Sequence, residues 1–304
     1  MKKLSIASKL LSIALLTGLL ACSEGDSDVS SNGKARISAT DAAVDAENVS
    51  KVMLSVSEVR ATSNGETRTV ASFDTPKEFN LMAYQNGETY FLGEGDLEAG
   101  TYSDIRFIIS GASDAYIEMK DGTKEDLEIP SGTTSGYKIN GVFDVAANST
   151  TDIVADVDLR KALVVTGNGD FKLRPTARLV VSDATGEIKG EVEGQIDASE
   201  RIVVYAYEKG SFSASEENEP AEGSTRYEGS INSAIVAEDG SYTLAFMEEG
   251  EYEIIVAKYS NQDADEDLEF EGRVDADLMI DGSLFNTINV TSNTTVSADI
   301  VLNL

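Results

Sequence analysis

Apolar and polar side chains alternate with a period of two along most of the chain, and this pattern restricts what it can fold into. Val52, Leu54 and Val56 show the alternation, and residues 104–109 and 152–159 repeat it. Alternate side chains of a strand point to opposite faces, so this period is typical of half-buried β-strands. Turn signals separate the strands at Asn64-Gly65, Asn86-Gly87, Asp121-Gly122 and Gly167-Asn168-Gly169. The pattern predicts an all-β protein of antiparallel sandwich domains.

The N-terminus has the pattern of a cleaved secretory signal, with three lysines before an apolar stretch from Leu10 to Ala21. This stretch is too short to span a bilayer as a helix, which takes about 20 apolar residues. Its ending, Leu19-Leu20-Ala21-Cys22, resembles the lipobox of bacterial lipoproteins. The resemblance implies removal of residues 1–21, diacylation of the Cys22 thiol and acylation of the new amino group. An unmodified thiol in an ordinary secretory signal is the alternative.

The residues after Cys22 bear on the membrane to which a lipoprotein would be sorted. Ser23 is not the Asp that retains lipoproteins in the inner membrane of enteric bacteria, so the resemblance implies the outer membrane. The acidic run that contains Ser23, Glu24, Asp26 and Asp28 resembles the surface-export signal of Bacteroidetes lipoproteins. A plain hydrophilic tether is the alternative, and in either case we expect residues 22–34 to be flexible. The expected location is the outer membrane, lipid-anchored and facing the cell surface.

The first half of the remaining chain contains a series of landmarks in a fixed order. They are Ala39-Thr40-Asp41-Ala42, Phe79-Asn80-Leu81, Leu97-Glu98-Ala99-Gly100-Thr101-Tyr102, Gly136-Tyr137-Lys138-Ile139 and Leu173-Arg174-Pro175. Over residues 35–182 this series resembles the bacterial lipoprotein domain of unknown function 4382. The resemblance implies an envelope-tethered β-sandwich without a settled biochemical role. We therefore predict a first sandwich domain over residues 35–183.

The second half shows the strand pattern most clearly, in segments 186–192, 201–207, 237–246 and 249–257. This series resembles the carboxypeptidase regulatory-like domain, a seven-stranded prealbumin-like sandwich, and predicts a second domain over residues 184–304. Acidic insertions at 211–229 and 261–267 depart from the family pattern. The resemblance therefore does not transfer the family's binding surface to this chain. Within the domain, we expect one strand to pack on its partner strand through Tyr242, Leu244 and Phe246 against Tyr252, Ile254 and Val256.

Net charge and composition exclude several classes of function. A net charge of −30 opposes nucleic-acid binding, which depends on cations that neutralise phosphates, and also opposes adhesion to anionic lipid. It favours solubility, divalent cations or a saline habitat. The chain has no His and Cys22 is its only Cys, so disulfides, Cys/His zinc sites and Cys or His nucleophiles are not expected. Ser131 and Lys138 are close enough in sequence for Ser/Lys catalysis, but Pro130-Ser131-Gly132 is typical of a turn. We expect no enzyme.

Asp156 and Asp158 are the first candidates for calcium ligands. They flank Val157 on a predicted strand, so their side chains leave the same face about 7 Å apart. Two carboxylates so placed could bind a cation. The alternative is a solvated strand face on which one carboxylate pairs with a neighbouring cation such as Arg106.

A second set of calcium candidates, Asp263, Asp265 and Asp267, alternates in the acidic insertion. Calcium favours several oxygen ligands from one short segment. However, Glu266 stands where an EF-hand loop needs Gly, and Gly272 stands where it needs a bidentate Glu. The insertion is therefore either a looser calcium site or a solvated acidic loop, and we expect no other cofactor.

The expected function is a non-catalytic interaction or structural module, bound to the membrane through its N-terminal lipid, with a protein or glycan partner. A carbohydrate-binding accessory lipoprotein is the alternative, and a row of exposed rings on one sandwich face would favour it. The candidate rings are Tyr84, Tyr90, Tyr116 and Tyr137. A third possibility is a calcium-stabilised adhesion module or an undiscovered hydrolase, the latter requiring a cleft with convergent carboxylates.

Overall fold

The computed structural model describes residues 31–42, 49–111, 113–194, 200–221, 223–260 and 269–303. Over these ranges the chain is nearly all β, which confirms the predicted fold class. Its helical segments are α1 (Leu159–Ala162) and 3-10 turns at Leu81–Ala83, Ser182–Ala184 and Ala214–Glu217, and none within these ranges could cross a bilayer. Outside the described residues lie the expected lipidation site Cys22, the expected export residues Ser23, Glu24, Asp26 and Asp28, and the calcium candidates Asp263, Asp265 and Asp267.

Twelve strands form the two sheets of the first sandwich. They are β1 (Asn32–Ala42), β2 (Val49–Ser63), β3 (Glu66–Asn80), β4 (Tyr90–Glu98), β5 (Gly100–Ile109), β6 (Tyr116–Met119), β7 (Lys124–Glu128), β8 (Tyr137–Val145), β9 (Thr150–Asp158), β10 (Leu163–Val165), β11 (Phe171–Leu173) and β12 (Ala177–Val181). One sheet has the order β12-β9-β1-β4. The other has the order β10-β11-β7-β6-β2-β5-β8, with β3 also paired to β2. Ile37, Leu54, Phe107 and Ile153 are among the core residues that the two sheets bury between them.

The first strand begins earlier than the sequence predicted. We expected a flexible tether up to residue 34, whereas β1 starts at Asn32. Asn32 and Gly33 lie opposite Glu98 and Leu97 of β4, and Lys34 lies between Asp96 of β4 and Thr150 of β9. Polar residues can thus belong to a strand when neighbouring strands complete their backbone hydrogen bonds.

Glycines close the first sandwich at two corners. At one corner β3 crosses β4 so closely that a Cβ on Gly95 would lie 1.8 Å from the carbonyl oxygen of Val70. At the other, a Cβ on Gly141 of β8 would lie 2.7 Å from the Cβ of Leu179 on β12. Side chains do not tolerate such distances, so both corners depend on residues without a Cβ.

The remaining strands form the two sheets of a second sandwich. They are β13 (Gly186–Glu193), β14 (Glu200–Glu208), β15 (Asn232–Ile235), β16 (Ser241–Met247), β17 (Gly250–Ser260), β18 (Glu269–Val274), β19 (Ala276–Ile280), β20 (Ser283–Phe285), β21 (Ile288–Val290), β22 (Thr295–Ser297) and β23 (Asp299–Leu302). One sheet has the order β16-β13-β23-β19-β20, with β22 paired to β13. The other has the order β15-β14-β17-β18, with β21 paired to β17. Most pairs in the protein are antiparallel, and the parallel pairs among the described residues are β1–β9, β7–β11, β13–β22 and β13–β23.

The predicted pairing of β16 with β17 is wrong, although part of the predicted packing exists. β16 pairs with β13, whereas β17 pairs with β14, β18 and β21. Tyr242 and Leu244 of β16 share a core with Tyr252 and Val256 of β17 because the two strands lie in facing sheets. Alternation in a sequence indicates which residues point inward, but not which strand lies beside another.

The insertion at 211–229 folds onto the outer face of the second sandwich. Its Phe212 and Tyr227 pack with Tyr205 of β14 and Phe270 of β18 in a small separate core. The rings of Tyr205 and Tyr227 stack with centroids 4.3 Å apart. Tyr227 is completely buried at a φ of 54°, and its hydroxyl has no hydrogen-bond partner within the described part of the chain. The insertion therefore covers this face at the cost of one buried, unpaired hydroxyl.

We expect Tyr227→Phe to raise the free energy of unfolding by about 1 kcal/mol, because it removes a buried hydroxyl that gains no hydrogen bond on folding. Tyr242→Phe is the matched control, since the Tyr242 hydroxyl donates to the carbonyl oxygen of Ala298 at 2.6 Å. Its loss should lower that free energy by about 1 kcal/mol. Urea denaturation followed by circular dichroism measures both. Destabilisation by Tyr227→Phe would contradict the assignment of an unpaired hydroxyl.

Candidate functional site at the junction of the sandwiches

A single helical turn, α1, carries two of the charged residues at the junction of the two sandwiches, Arg160 and Lys161. α1 directly follows β9, and Leu159 and Ala162 are buried in the first core. Asp41 on the neighbouring strand β1 accepts hydrogen bonds from the backbone N–H of Leu159 at 3.1 Å and from Nε2 of Gln85 at 2.9 Å. The first N–H groups of a helix have no partner within the helix, so Asp41 supplies one. These contacts hold α1 in place and so determine the positions of Arg160 and Lys161.

Arg160 connects the two sandwiches through a buried ion pair. Its Nε and Nη2 donate to the two carboxylate oxygens of Asp158 at 2.9 and 2.7 Å, and its side chain is only 5% exposed. Its Nη1 donates to Oγ of Ser230 in the second sandwich at 2.7 Å. The guanidinium carbon also lies 5.5 Å from the centroid of the Tyr205 ring. One charged side chain is thus held by both domains.

Two further cations cross the junction. Nζ of Lys161 lies 3.1 Å from Oδ2 of Asp158 and donates to the carbonyl oxygen of Ser230 at 2.9 Å. Nη1 of Arg174 donates to the carbonyl oxygen of Gly223 at 2.9 Å. Burial lowers the pKa of Lys161. Burial would raise the pKa of Asp158, but the charges of Arg160 and Lys161 outweigh it and hold that pKa below its usual value. Asp158 is therefore charged at neutral pH.

Asp156 and Asp158 both line one cavity of about 260 Å³ at this junction. Asp156 lies directly opposite Arg178 of β12 and accepts from its Nε at 2.8 Å. The expected solvated strand face is wrong, since Asp156 is buried. The expected pairing with Arg106 is also wrong, since the cation that Asp156 contacts is Arg178. Arg106 pairs instead with Asp104 on its own strand at 2.9 Å. Each of the two calcium candidates thus pairs with a cation of the protein, and no group of three acidic side chains among the described residues could hold a metal ion.

The tyrosines considered for sugar stacking do not form an exposed row. Tyr84 and Tyr90 pack against Phe79, and the Tyr90 ring stacks on it with centroids 4.3 Å apart. Tyr137 is buried, and its hydroxyl donates to the carbonyl oxygen of Arg174 at 2.8 Å. The Tyr116 ring lies under Nζ of Lys124, 4.2 Å from the ring centroid. These four residues therefore provide no flat aromatic surface.

The structure does bring Ser131 and Lys138 together, on the wall of a second cavity of about 260 Å³. Ser131 has a φ of 57°, and its carbonyl oxygen accepts hydrogen bonds from the backbone N–H groups of Thr134, Ser135 and Gly136. This geometry confirms the predicted turn. Arg106 lines the same cavity, so two cations face it.

Sequence reasoning missed Asp41, Arg160, Lys161 and Arg178 at the junction. One signal was available, because Arg160 and Lys161 directly follow a strand that ends in Asp158. Adjacent cations are notable in a chain with 24 Lys and Arg against 54 Asp and Glu. No sequence pattern pointed to Ser230, since its contacts with Arg160 and Lys161 exist only when the two sandwiches pack together.

Comparison with known proteins gives one family match. Residues 32–175 match the family described as domain of unknown function (DUF4382), which confirms the expected relationship for this part of the chain. The resemblance of residues 186–304 to carboxypeptidase regulatory-like domains stays a prediction. No curated protein matches the sequence.

Solved structures show only a distant likeness. The Bacillus anthracis TIE protein is 10% identical, with 89% of this chain and 34% of that protein covered, at a TM-score of 0.19. A candidate carbohydrate-binding protein of Pseudomonas aeruginosa is 12% identical, covering 40% and 91%, at a TM-score of 0.22. BcpA, the major pilin subunit of Bacillus cereus, is 9% identical, covering 90% and 70%, at a TM-score of 0.21. TM-scores this low assign no function to this chain.

We expect Arg160→Met to lower the free energy of unfolding by about 3–5 kcal/mol, because it leaves the carboxylate of Asp158 buried without its main partner. Arg68→Met is the matched control, since the Arg68 side chain is 43% exposed and pairs with exposed Glu66 and Glu98. Its cost should stay below about 1 kcal/mol. Urea denaturation measures both variants. Equal losses would contradict a structural role for the junction pair.

The buried carboxyl of Asp41 should make stability depend on pH. Burial raises the pKa of Asp41 well above its usual value in spite of its hydrogen bonds to Gln85 and Leu159. The folded state therefore binds a proton that the unfolded state releases near pH 4, and the contribution of this group to stability falls as pH rises from about 4 to the raised pKa. Asp41→Asn cannot titrate. As pH rises over this interval, the natural protein should lose this contribution to its free energy of unfolding, whereas Asp41→Asn has none to lose. The value for the variant minus the value for the natural protein, both from urea titrations, should therefore increase, and a constant difference would exclude the effect.

Proposed function

We propose that this protein is a non-catalytic module, anchored by lipid on Cys22 to the outer membrane and facing the cell surface, that presents two β-sandwiches to a partner as one unit. The junction supports this proposal most directly. Arg160 is bonded to Asp158 in the first sandwich and to Ser230 in the second, and Lys161 makes the same connection. Buried, directional contacts of this kind specify one relative orientation of two domains. A fixed orientation suits a module that must hold a binding surface in place.

The lipid anchor is supported by the sequence rather than by the fold. The segment Leu19-Leu20-Ala21-Cys22 provides the thiol, and the acidic residues that follow it provide a polar connection to β1. Three acyl chains would hold the protein firmly, since each buried methylene contributes about 0.8 kcal/mol. The net charge of −30 keeps the sandwiches away from anionic lipid, so the anchor leaves them free to meet a partner.

Cys22→Ala should abolish lipid attachment, because the thiol that accepts the diacyl group is lost. Cells grown with an alkyne analogue of palmitate should label the natural protein and not this variant, as read from a fluorescent gel after click chemistry. Ser23→Ala, which retains Cys22, is the control and should be labelled. Label on Cys22→Ala would overturn the proposed anchor.

The orientation is measured on the same cells by adding a protease to intact cells. The natural protein should be degraded, whereas a variant with Glu24, Asp26 and Asp28 replaced by Ala should be labelled with lipid yet protected. Protection of the natural protein would overturn the outward orientation. Degradation of the triple variant would show that these carboxylates are only a tether.

A further inference from the structure

A cavity beside the turn at residues 131–136 places two cations side by side. Arg106 of β5 and Lys138 of β8 lie directly opposite each other in an antiparallel pair, and both line this cavity of about 260 Å³. Like charges in directly opposite positions destabilise a sheet. Their presence here is a local conflict, and such conflicts are typical of functional sites.

One buried carboxylate holds both cations in position. Asp104 is buried and accepts from Nε of Arg106 at 2.9 Å and from Oγ1 of Thr62 at 2.8 Å. Its other oxygen lies 3.6 Å from Nζ of Lys138. Burial would raise the pKa of Asp104, but its hydrogen bonds and the two cations hold that pKa below the usual value, so the carboxyl is ionised. The cluster therefore has one excess positive charge in a strongly acidic protein.

The cations retain donors for a ligand. Nζ of Lys138 is too far from Asp104 for a hydrogen bond, and its side chain is 44% exposed. Arg106 uses Nε for Asp104 and Nη1 for the carbonyl oxygen of Ser135 at 3.3 Å. Pro130 and Pro175 form part of the wall and restrict its backbone. The cavity is thus suited to an anionic group the size of a carboxylate with a short carbon frame attached.

A second cavity adjoins the first at Ser131, which lines both. This cavity has a volume of about 340 Å³, and Asp126, Asp170 and the ring of Phe171 line it. Asp126 and Asp170 are exposed, and no ion pair is formed by either within the described ranges. Their oxygens can accept hydrogen bonds from neutral hydroxyl groups, while the ring offers an apolar contact.

We propose that these adjoining cavities bind an acidic polysaccharide, with the carboxylate of a uronic acid between Arg106 and Lys138 and the hydroxyls of a neighbouring sugar on Asp126 and Asp170. A sugar chain has neutral hydroxyl donors close to each carboxylate. An acidic peptide would instead bring further carboxylates toward Asp126 and Asp170, where they would be repelled. The proposal names the partner of the surface module and depends on its outward orientation only for access to the ligand.

Isothermal titration calorimetry of the full-length protein, purified from cells in detergent, tests this site. The probe is an oligosaccharide that alternates glucuronic acid with N-acetylglucosamine, compared with the same oligosaccharide after reduction of its carboxyl groups to alcohols. The acidic form should bind about tenfold or more tightly than the reduced form, as expected for loss of a charged hydrogen bond. Equal binding of the two forms, or no binding of the acidic form, would overturn the proposal.

Lys138→Gln should weaken binding of the acidic oligosaccharide by about tenfold, because the ammonium group is lost. Lys209→Gln is the matched control, since it removes one equal charge from a 54% exposed lysine paired with Glu251 in the second sandwich. Its affinity should stay within about twofold of the natural value. Asp170→Ala, an exposed change with little effect on folding, should also weaken binding. An unchanged affinity in Lys138→Gln would overturn the proposed cavity.

An oligoglutamate of the same charge provides the alternative ligand. Weaker binding of oligoglutamate supports the sugar assignment, whereas tighter binding would overturn it in favour of an acidic peptide. The titration uses purified protein, so its outcome is independent of labelling at Cys22 and of protease access. Failure of the ligand proposal is therefore distinguishable from failure of the proposed anchor or orientation.

Discussion

The buried ion pair between Asp158 and Arg160 determines how the two halves of this protein meet. Removing a guanidinium and a carboxylate from water costs several kcal/mol per ion, and the cost is offset only when most of their hydrogen-bonding groups find partners. Asp158 accepts hydrogen bonds from two nitrogens of the Arg160 guanidinium, and Ser230 of the other sandwich accepts one from the third. The first sandwich alone would leave this cation incompletely bonded. The second sandwich therefore completes a site in the first, which gives the junction one preferred geometry.

The position of this pair follows from the first sandwich. Asp41 holds the N-terminal end of α1 against β1, and the parallel pairing of β1 with β9 places Asp41 beside the end of β9. Close contacts at Gly95 and Gly141 bring the two sheets together at the corners. An alteration in this framework would move α1, and with α1 the charges that reach the second sandwich. The junction is thus coupled to the packing of the first core.

Sequence alternation predicted the strands well and their neighbours poorly. The alternation predicted inward side chains on β16 and β17, correctly for Tyr242, Leu244, Tyr252 and Val256. It was wrong for Phe246, which is half-buried outside the core, and the two strands belong to facing sheets. The same limit applies at the site. Asp156 and Asp158 were identified as a pair, but their partners depend on α1 and on the pairing of β9 with β12, which alternation does not reveal. Ser131 and Lys138 were identified by proximity along the chain, and the turn between them brings both to one cavity.

The cavity lined by Arg106 and Lys138 lies in a chain whose net charge is −30, so an anionic ligand must approach a negatively charged protein. Salt at physiological concentration screens charges over about 8 Å, so the repulsion of an anionic polymer by distant carboxylates is weak. Contacts with Arg106 and Lys138 act over hydrogen-bond distances and are screened much less. A ligand with many closely spaced anions would still be repelled by Asp126 and Asp170 beside the cavity. The arrangement therefore favours a ligand with one carboxylate among neutral hydroxyls, and the acidic surface contributes selectivity as well as solubility.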